Sequence, residues 1–185
     1  MVDVSHIMYS KKRKVLSGVA LEVDRLDYHF FDAERRELQE LIDRKLPGYQ
    51  NQLISHNHEE TRWVLYSGSD RSMGTYYLLD SDKMELTKLF ELTPWLDEKL
   101  MAETTPIEYR SRDGLRIRGY LTLPREADPQ GLPLVVNPHG GPWARDSWGF
   151  DPEVQFLASR GYAVLQMNFR GSTGFGRRFM EASFG

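Results

Sequence analysis

The chain has 185 residues and a mass of 21.5 kDa, with 24 Lys and Arg against 27 Asp and Glu, a formal charge of −3. A pI near 6.0 removes a whole-chain electrostatic case for nucleic-acid binding, and a mean hydropathy of −0.54, with no apolar run near the ~20 residues that a membrane helix needs, removes a spanning helix. The absence of cysteine excludes disulfide scaffolds, thiolate metal sites and cysteine nucleophiles together, while leaving the compartment open.

The opening MVDVSHIMYSKKRK lacks the charged-then-apolar layout of a secretory leader. Ser10-Lys11-Lys12-Arg13-Lys14 reads as a solvated turn on a net-acidic chain rather than as a nucleic-acid patch. YHFFDAERRELQEL, starting at Tyr28, then matches YYLLDSDKMELTKL, starting at Tyr76, an offset of 76 − 28 = 48. Tyr28, Asp32, Glu37, Leu38 and Leu41 are identical to Tyr76, Asp80, Glu85, Leu86 and Leu89. Such a period lies in the range of roughly 40–50 residues of β-propeller blades, each built of four short strands.

In the first unit Leu38, Leu41, Ile42 and Leu46 follow helical spacing, with Asp32 as N-cap and Gly48 as stop, so a helix is expected to replace a strand there. The second unit carries four β-rich runs, NQLISHNH, RWVLYSGS, TYYLLDSD and ELTKLFE. Two units fall short of the roughly four to eight blades of a closed propeller. His56 and His58 are expected on one strand face; no third ligand is placed by spacing, and no metal or other cofactor is expected.

From Thr104 the pattern changes. TPIEYRSRDGLRIRGYLTLP alternates on both sides of Asp113-Gly114 and predicts a hairpin. LPLVVNP, DPEVQFLASRG ending at Gly161, and YAVLQMNF predict a strand, a helix and a parallel strand, and RRFMEASFG the opening of another helix. Asn137-Pro138-His139-Gly140-Gly141-Pro142 falls at the carboxyl end of the first of these strands, where open α/β sheets place ligand loops. Paired glycines permit close approach of the backbone, and an amide there can meet the charge that develops on a carbonyl oxygen; a plain Gly-Pro turn is the competing reading. Trp143 and Trp148 flank this loop, either as a pocket rim or as anchors. GSTGFG lacks the order and the ending of a phosphate loop.

Taken with Asn168-Phe169-Arg170-Gly171-Ser172-Thr173-Gly174-Phe175-Gly176, these motifs resemble the prolyl oligopeptidase family of serine peptidases, in its acylaminoacyl-peptidase and dipeptidyl-peptidase-like branch. The resemblance runs in motif order over 104–185, and before that through the repeat. It implies a mixed α/β and all-β chain: a β-propeller remnant of about two blade-like units over 1–103, then the N-terminal portion of an α/β-hydrolase sheet over 104–185. It further implies that the backbone amide of Gly141 is an oxyanion donor, that His139 and Gly140 shape its loop, and that Pro142, Trp143, Arg170, Gly171 and Ser172 line or brace the site. Some branches carry tyrosine where His139 stands, so the donor here would be backbone alone. The implied partner is a small peptide, with neither nucleic acid nor membrane.

The family's nucleophile sits in a G-x-S-x-G elbow, followed by Asp and then His. That elbow does not occur here: Gly171-Ser172-Thr173-Gly174 is misspaced, and Arg145 stands where Ser147 would need glycine. His6, His29, His56, His58 and His139 all precede the family's histidine position, so the triad is expected beyond Gly185 and the chain alone is expected to be inactive. The LPLVV strand would then keep an open edge, inviting self-association or pairing with further polypeptide. Two other readings remain: a carboxylesterase or lipase of the same fold, and a non-catalytic binding module.

Overall fold

A computed structural model describes residues 2–141 and 143–184. The chain opens as an antiparallel meander of β1 (Val4–Ser10), β2 (Val15–Glu22) and β3 (Leu26–Phe30). Residues 11–14 form the turn after β1. Arg13 within it is paired with Asp32 at 2.7 Å and Glu34 at 3.0 Å, so part of the basic run is neutralised locally.

Asp32 turns the chain from strand to helix at the end of β3. Its carboxylate accepts from the Arg35 amide at 3.0 Å and caps α1 (Ala33–Lys45), a contact worth about 1 kcal/mol. Leu38, Ile42 and Leu46 from this helical segment pack onto a second antiparallel meander, β4 (Gln50–His56), β5 (Arg62–Gly68), β6 (Thr75–Asp80) and β7 (Glu85–Glu91). Ile42, Leu65 and Leu79 are fully buried in this core, each contributing about 1.5–3 kcal/mol.

The repeat is a structural one for three strands. β4, β5 and β6 begin 50 − 4 = 46, 62 − 15 = 47 and 75 − 26 = 49 residues after β1, β2 and β3. Beyond that point Glu37, Leu38 and Leu41 lie in a helix while Glu85, Leu86 and Leu89 lie in a strand, although the letters agree. Asp80 makes the same contact as Asp32, accepting from the amide three positions on, Lys83 at 3.2 Å; the paths part at Met84, whose φ of 53° turns the chain back as β7 where its counterpart Arg36 is helical. One further expectation is corrected. His56 ends β4, but His58 lies in the following turn, because the Asn57 side chain accepts from the Thr61 and Arg62 amides and stops the strand.

The third sheet has the order β10–β11–β9–β8. β8 (Thr104–Arg110) and β9 (Arg116–Thr122) form the hairpin across Asp113-Gly114, and β9 pairs antiparallel with β11 (Ala163–Asn168). β10 (Leu134–Val136) runs parallel to β11, joined to it through α2 (Pro152–Ser159), and α3 (Arg177–Glu181) comes after. β10 pairs on one side only, leaving Leu134 and Val136 about half exposed. Among the described residues all three sheets are open, none closes into a barrel, and no helix is long and apolar enough to cross a membrane.

Buried polar contacts fasten this sheet to the second meander. Gln155 on α2 accepts from the Ala102 amide at 2.8 Å and donates to the Ala102 and Asp70 carbonyls, while the Asp70 carboxylate receives the Thr104 amide at 2.7 Å. Trp148 is buried and donates to the Thr104 carbonyl at 3.0 Å, so this tryptophan is an anchor and not a rim.

Candidate functional site

Two glycine-bearing loops leave the carboxyl ends of the parallel pair β10 and β11. Asn137 extends the ladder by one bond, its amide donating to the Leu165 carbonyl at 2.8 Å, and the chain then turns out through Pro138 and His139 into Gly140 and Gly141. Both glycines are exposed, and Gly141 has φ 138°, which disfavours any side chain. Among the described residues neither glycine amide donates a hydrogen bond. These are two adjacent backbone donors on exposed residues at the tip of a sheet, without an acceptor among the described residues.

The loop is held from beneath by the segment after β11. The His139 ring stacks on Phe169, with centroids 4.4 Å apart and planes 16° from parallel. Its Nδ1 lies 2.7 Å from the Gly140 carbonyl and its Nε2 2.7 Å from the Ser172 hydroxyl. A carbonyl only accepts, so Nδ1 carries the proton; in the neutral ring Nε2 then accepts from Ser172. This serine–histidine pair has the contacts of a brace and not those of a nucleophile and its base. Ser172 is completely buried, and the far nitrogen of the ring faces a carbonyl where a triad would place a carboxylate.

Past the glycine pair a second set of bonds takes over. The Ala144 carbonyl accepts from the Thr173 amide at 3.0 Å. Asp146 and Asn168 bond reciprocally: the Asp146 amide reaches Asn168 Oδ1 at 2.8 Å, and Asn168 Nδ2 reaches the Asp146 carbonyl at 3.1 Å. Among the described residues Asp146 Oδ2 is buried without a partner, and burial pushes this carboxyl above its ordinary value, against the opposing influence of His139. Arg145 and Asp146 carry no motif signal of their own, whereas Asn168 opens the Asn168–Gly176 motif without a role assigned to it there.

The other sequence-selected residues divide. Gly171 and Ser172 lie buried beneath the loop. Arg170 points elsewhere, binding Asp113 on the hairpin turn at 2.6 Å and, after the Ser111 hydroxyl, helping to hold that carboxyl well below the usual range. Trp143 is 63% exposed and meets Phe184 edge to face at 6.4 Å, an open aromatic pair near Gly141. Pro142 lies outside the described residues.

A cavity of about 750 Å³ lies between the first meander, α1 and the second, lined by Arg13, Tyr28, Glu60 and Trp63 among others. A smaller one of about 290 Å³ lies against Trp148. Neither is lined by residues 139–141, so the glycine pair stands on an open surface of this chain, outside both cavities. Among the described residues no cluster of three or more His, Asp or Glu could hold a metal.

Comparison with known proteins agrees with this architecture. Residues 148–184 match the model of the prolyl oligopeptidase family. The chain is 45% identical over 135 residues to dipeptidyl aminopeptidase BIII of Pseudoxanthomonas mexicana, covering 69% of this chain and 19% of that protein. It is 36% identical over 172 residues to dipeptidyl peptidase family member 6 of Caenorhabditis elegans, covering 80% of this chain and 23% of the relative. The solved puromycin-hydrolyzing peptidase of Mycobacterium tuberculosis superposes with a TM-score of 0.66 at 25% identity, over 89% of this chain and 26% of that one. The chain therefore spans about a fifth of the length of the curated relatives it matches.

Proposed function

Starting from the membership of this chain in the prolyl oligopeptidase family, we propose that it is the part of a serine peptidase that supplies one side of the oxyanion hole for cleavage of short or N-blocked peptides. Residues 1–103 would be a propeller remnant and 104–185 the start of the hydrolase domain. The observation that carries the reading is the exposed glycine pair at the end of β10, with two unengaged amides and a left-handed Gly141. In this role the Gly141 amide donates to the oxygen of the tetrahedral intermediate. Gly140 and His139 hold its direction, Trp143 offers an apolar wall, and Ser172 and Gly171 brace the floor. Each hydrogen bond of that kind is stronger in the transition state than in the ground state, because the carbonyl oxygen becomes an anion.

The chain contains no G-x-S-x-G elbow, and the serine in contact with His139, Ser172, is completely buried. The attacking hydroxyl and its base are therefore assigned to polypeptide outside these 185 residues. The complete protein should hydrolyse an acyl-amino-acid anilide well ahead of a short-chain ester, and a fluorophosphonate probe should label one serine in it. The 185-residue chain should stay unlabelled. Labelling of any serine within the chain would overturn the assignment.

A further inference from the structure

The orientation of Gly140 and Gly141 is not set by their own contacts. Their amides are unengaged among the described residues, and a Cβ built on Gly140 would meet nothing within 4 Å. Direction must come from the groups that hold the two ends of the loop. On the entry side these are the Asn137–Leu165 ladder bond and the stacked His139. On the exit side these are the Ala144–Thr173 bond, the Asp146–Asn168 pair and Arg145, a residue the peptidase reading leaves without a role.

Arg145 is largely buried, its side chain 12% exposed, and it joins segments remote in sequence. Its Nη1 donates to the Glu22 carbonyl at 2.8 Å and its Nη2 to the Val23 carbonyl at 3.1 Å, where β2 ends and the turn to β3 begins. Its Nε donates to the Asp146 carbonyl at 3.2 Å, and the guanidinium lies 4.6 Å over the Phe175 ring in the loop after β11. The same β2–β3 turn is gripped at its other positions. The Asp24 carbonyl accepts from the Tyr120 hydroxyl at 2.9 Å, the Asp24 carboxylate pairs with Arg118 at 2.7 Å, and Arg25 lies 3.9 Å over Trp148. Three successive carbonyls of one blade-like turn thus accept from residues 104–185, two of them from a single side chain placed four positions after Gly141.

We propose that Arg145 is a positioning residue: by clamping the Glu22–Val23 carbonyls it makes the direction of the Gly140 and Gly141 amides depend on contact with the first meander. Two parallel donors on successive carbonyls need the planar fork of a guanidinium, which a lysine ammonium lacks. Loss of the fork frees the exit of the loop, and a misplacement near 1 Å in such a site costs about 10²-fold in rate. The inference rests on the peptidase reading for its kinetic consequence, not for its geometry.

The test uses the complete protein with Arg145→Ala and Arg145→Lys, and two independent readouts. In anilide hydrolysis both variants should lose about 10²-fold in kcat with KM held within about twofold, since donation to the transition state and not substrate binding is disturbed. Added guanidinium ion should restore part of the kcat of Arg145→Ala and none of that of Arg145→Lys. In hydrogen exchange, protection should fall together in the β2–β3 turn and at the bonded amides of Asp146 and Thr173, and stay unchanged in β4–β7. An unchanged kcat overturns the proposal. So does a loss without guanidinium rescue accompanied by an even rise in exchange, which marks a merely structural side chain. A wild-type protein inactive on every peptide refutes the peptidase reading, and the exchange pattern then decides the positioning role alone.

Discussion

The loops after β10 and β11 start from the same place in the sheet and both carry glycines, yet they are opposite in character. The first, through Gly140 and Gly141, is exposed, with amides that meet no partner among the described residues. In the second, Gly171, Ser172 and Gly176 are buried, and the amides of Gly171, Ser172 and Thr173 bind the carbonyls of Phe179, Phe169 and Ala144. The difference teaches a division of labour: the first loop keeps its donors free, while the second engages its own, with the Thr173 amide reaching across to the Ala144 carbonyl. Glycine serves accessibility in the first loop and close approach in the second.

The sharpest way to break this comparison is at Gly141. In the complete protein, Gly141→Val should lower kcat by about 10²–10³-fold if its amide is an oxyanion donor, and it should lower the folding midpoint as well, because a Cβ there lies 2.8 Å from the Trp143 amide nitrogen at a backbone φ of 138°. Steady-state kinetics beside thermal melting checks this, and an intact kcat would remove the residue from the mechanism. A smaller effect, on stability, separates the loops directly. A Cβ at Gly174 would lie 2.5 Å from Arg145 Nη1 at a backbone φ of 88°, so Gly174→Ala should cost about 1–2 kcal/mol from left-handed strain alone, and more from displacing the guanidinium. Gly140→Ala meets nothing within 4 Å and should fall within about 0.5 kcal/mol of the parent in urea titration. Equal costs at the two positions would erase the distinction.

The smallest expected effect is a pH dependence. A carboxyl raised above its ordinary value, as Asp146 is by burial, binds its proton more tightly in the folded state than in the unfolded one. Its contribution is therefore full below the ordinary value near 3.8 and is lost as pH rises through the raised value. Asp146→Asn removes that loss, so the variant should gain on the parent as pH climbs from the acid side toward neutrality. Melting curves across that window check the sign, and a variant that loses ground with rising pH would contradict it.

Much of this was legible in the residues. The Asp32 cap, the four strands after Gly48 and the hairpin at Asp113-Gly114 rest on contacts between near neighbours in sequence, which period and turn chemistry encode, and the parallel crossover follows from the order of strand, helix and strand. The glycine pair was legible because strand-end placement and residue type coincide. Arg145 was not: its partners Glu22 and Val23 stand over 120 residues away and are met through backbone carbonyls, which have no letter in a sequence. Arg170 shows the converse, since an adjacent position suggested the site floor while its charge found Asp113. The 48-residue identity at Leu38 and Leu41 likewise matched letters whose backbones take different paths, a choice made where Met84 turns left-handed and its counterpart Arg36 stays helical.

That choice bears on where modules can be cut. Ile42 of α1 is interior to the core of Leu65 and Leu79, so the helix that comes after the first meander in sequence belongs to the second in substance. A boundary drawn by repeat arithmetic near Tyr49 would strip the second unit of its own lid and expose its apolar floor. Anyone excising or grafting that four-stranded unit should begin at Asp32, carrying the helix and its cap along as the first piece of the graft.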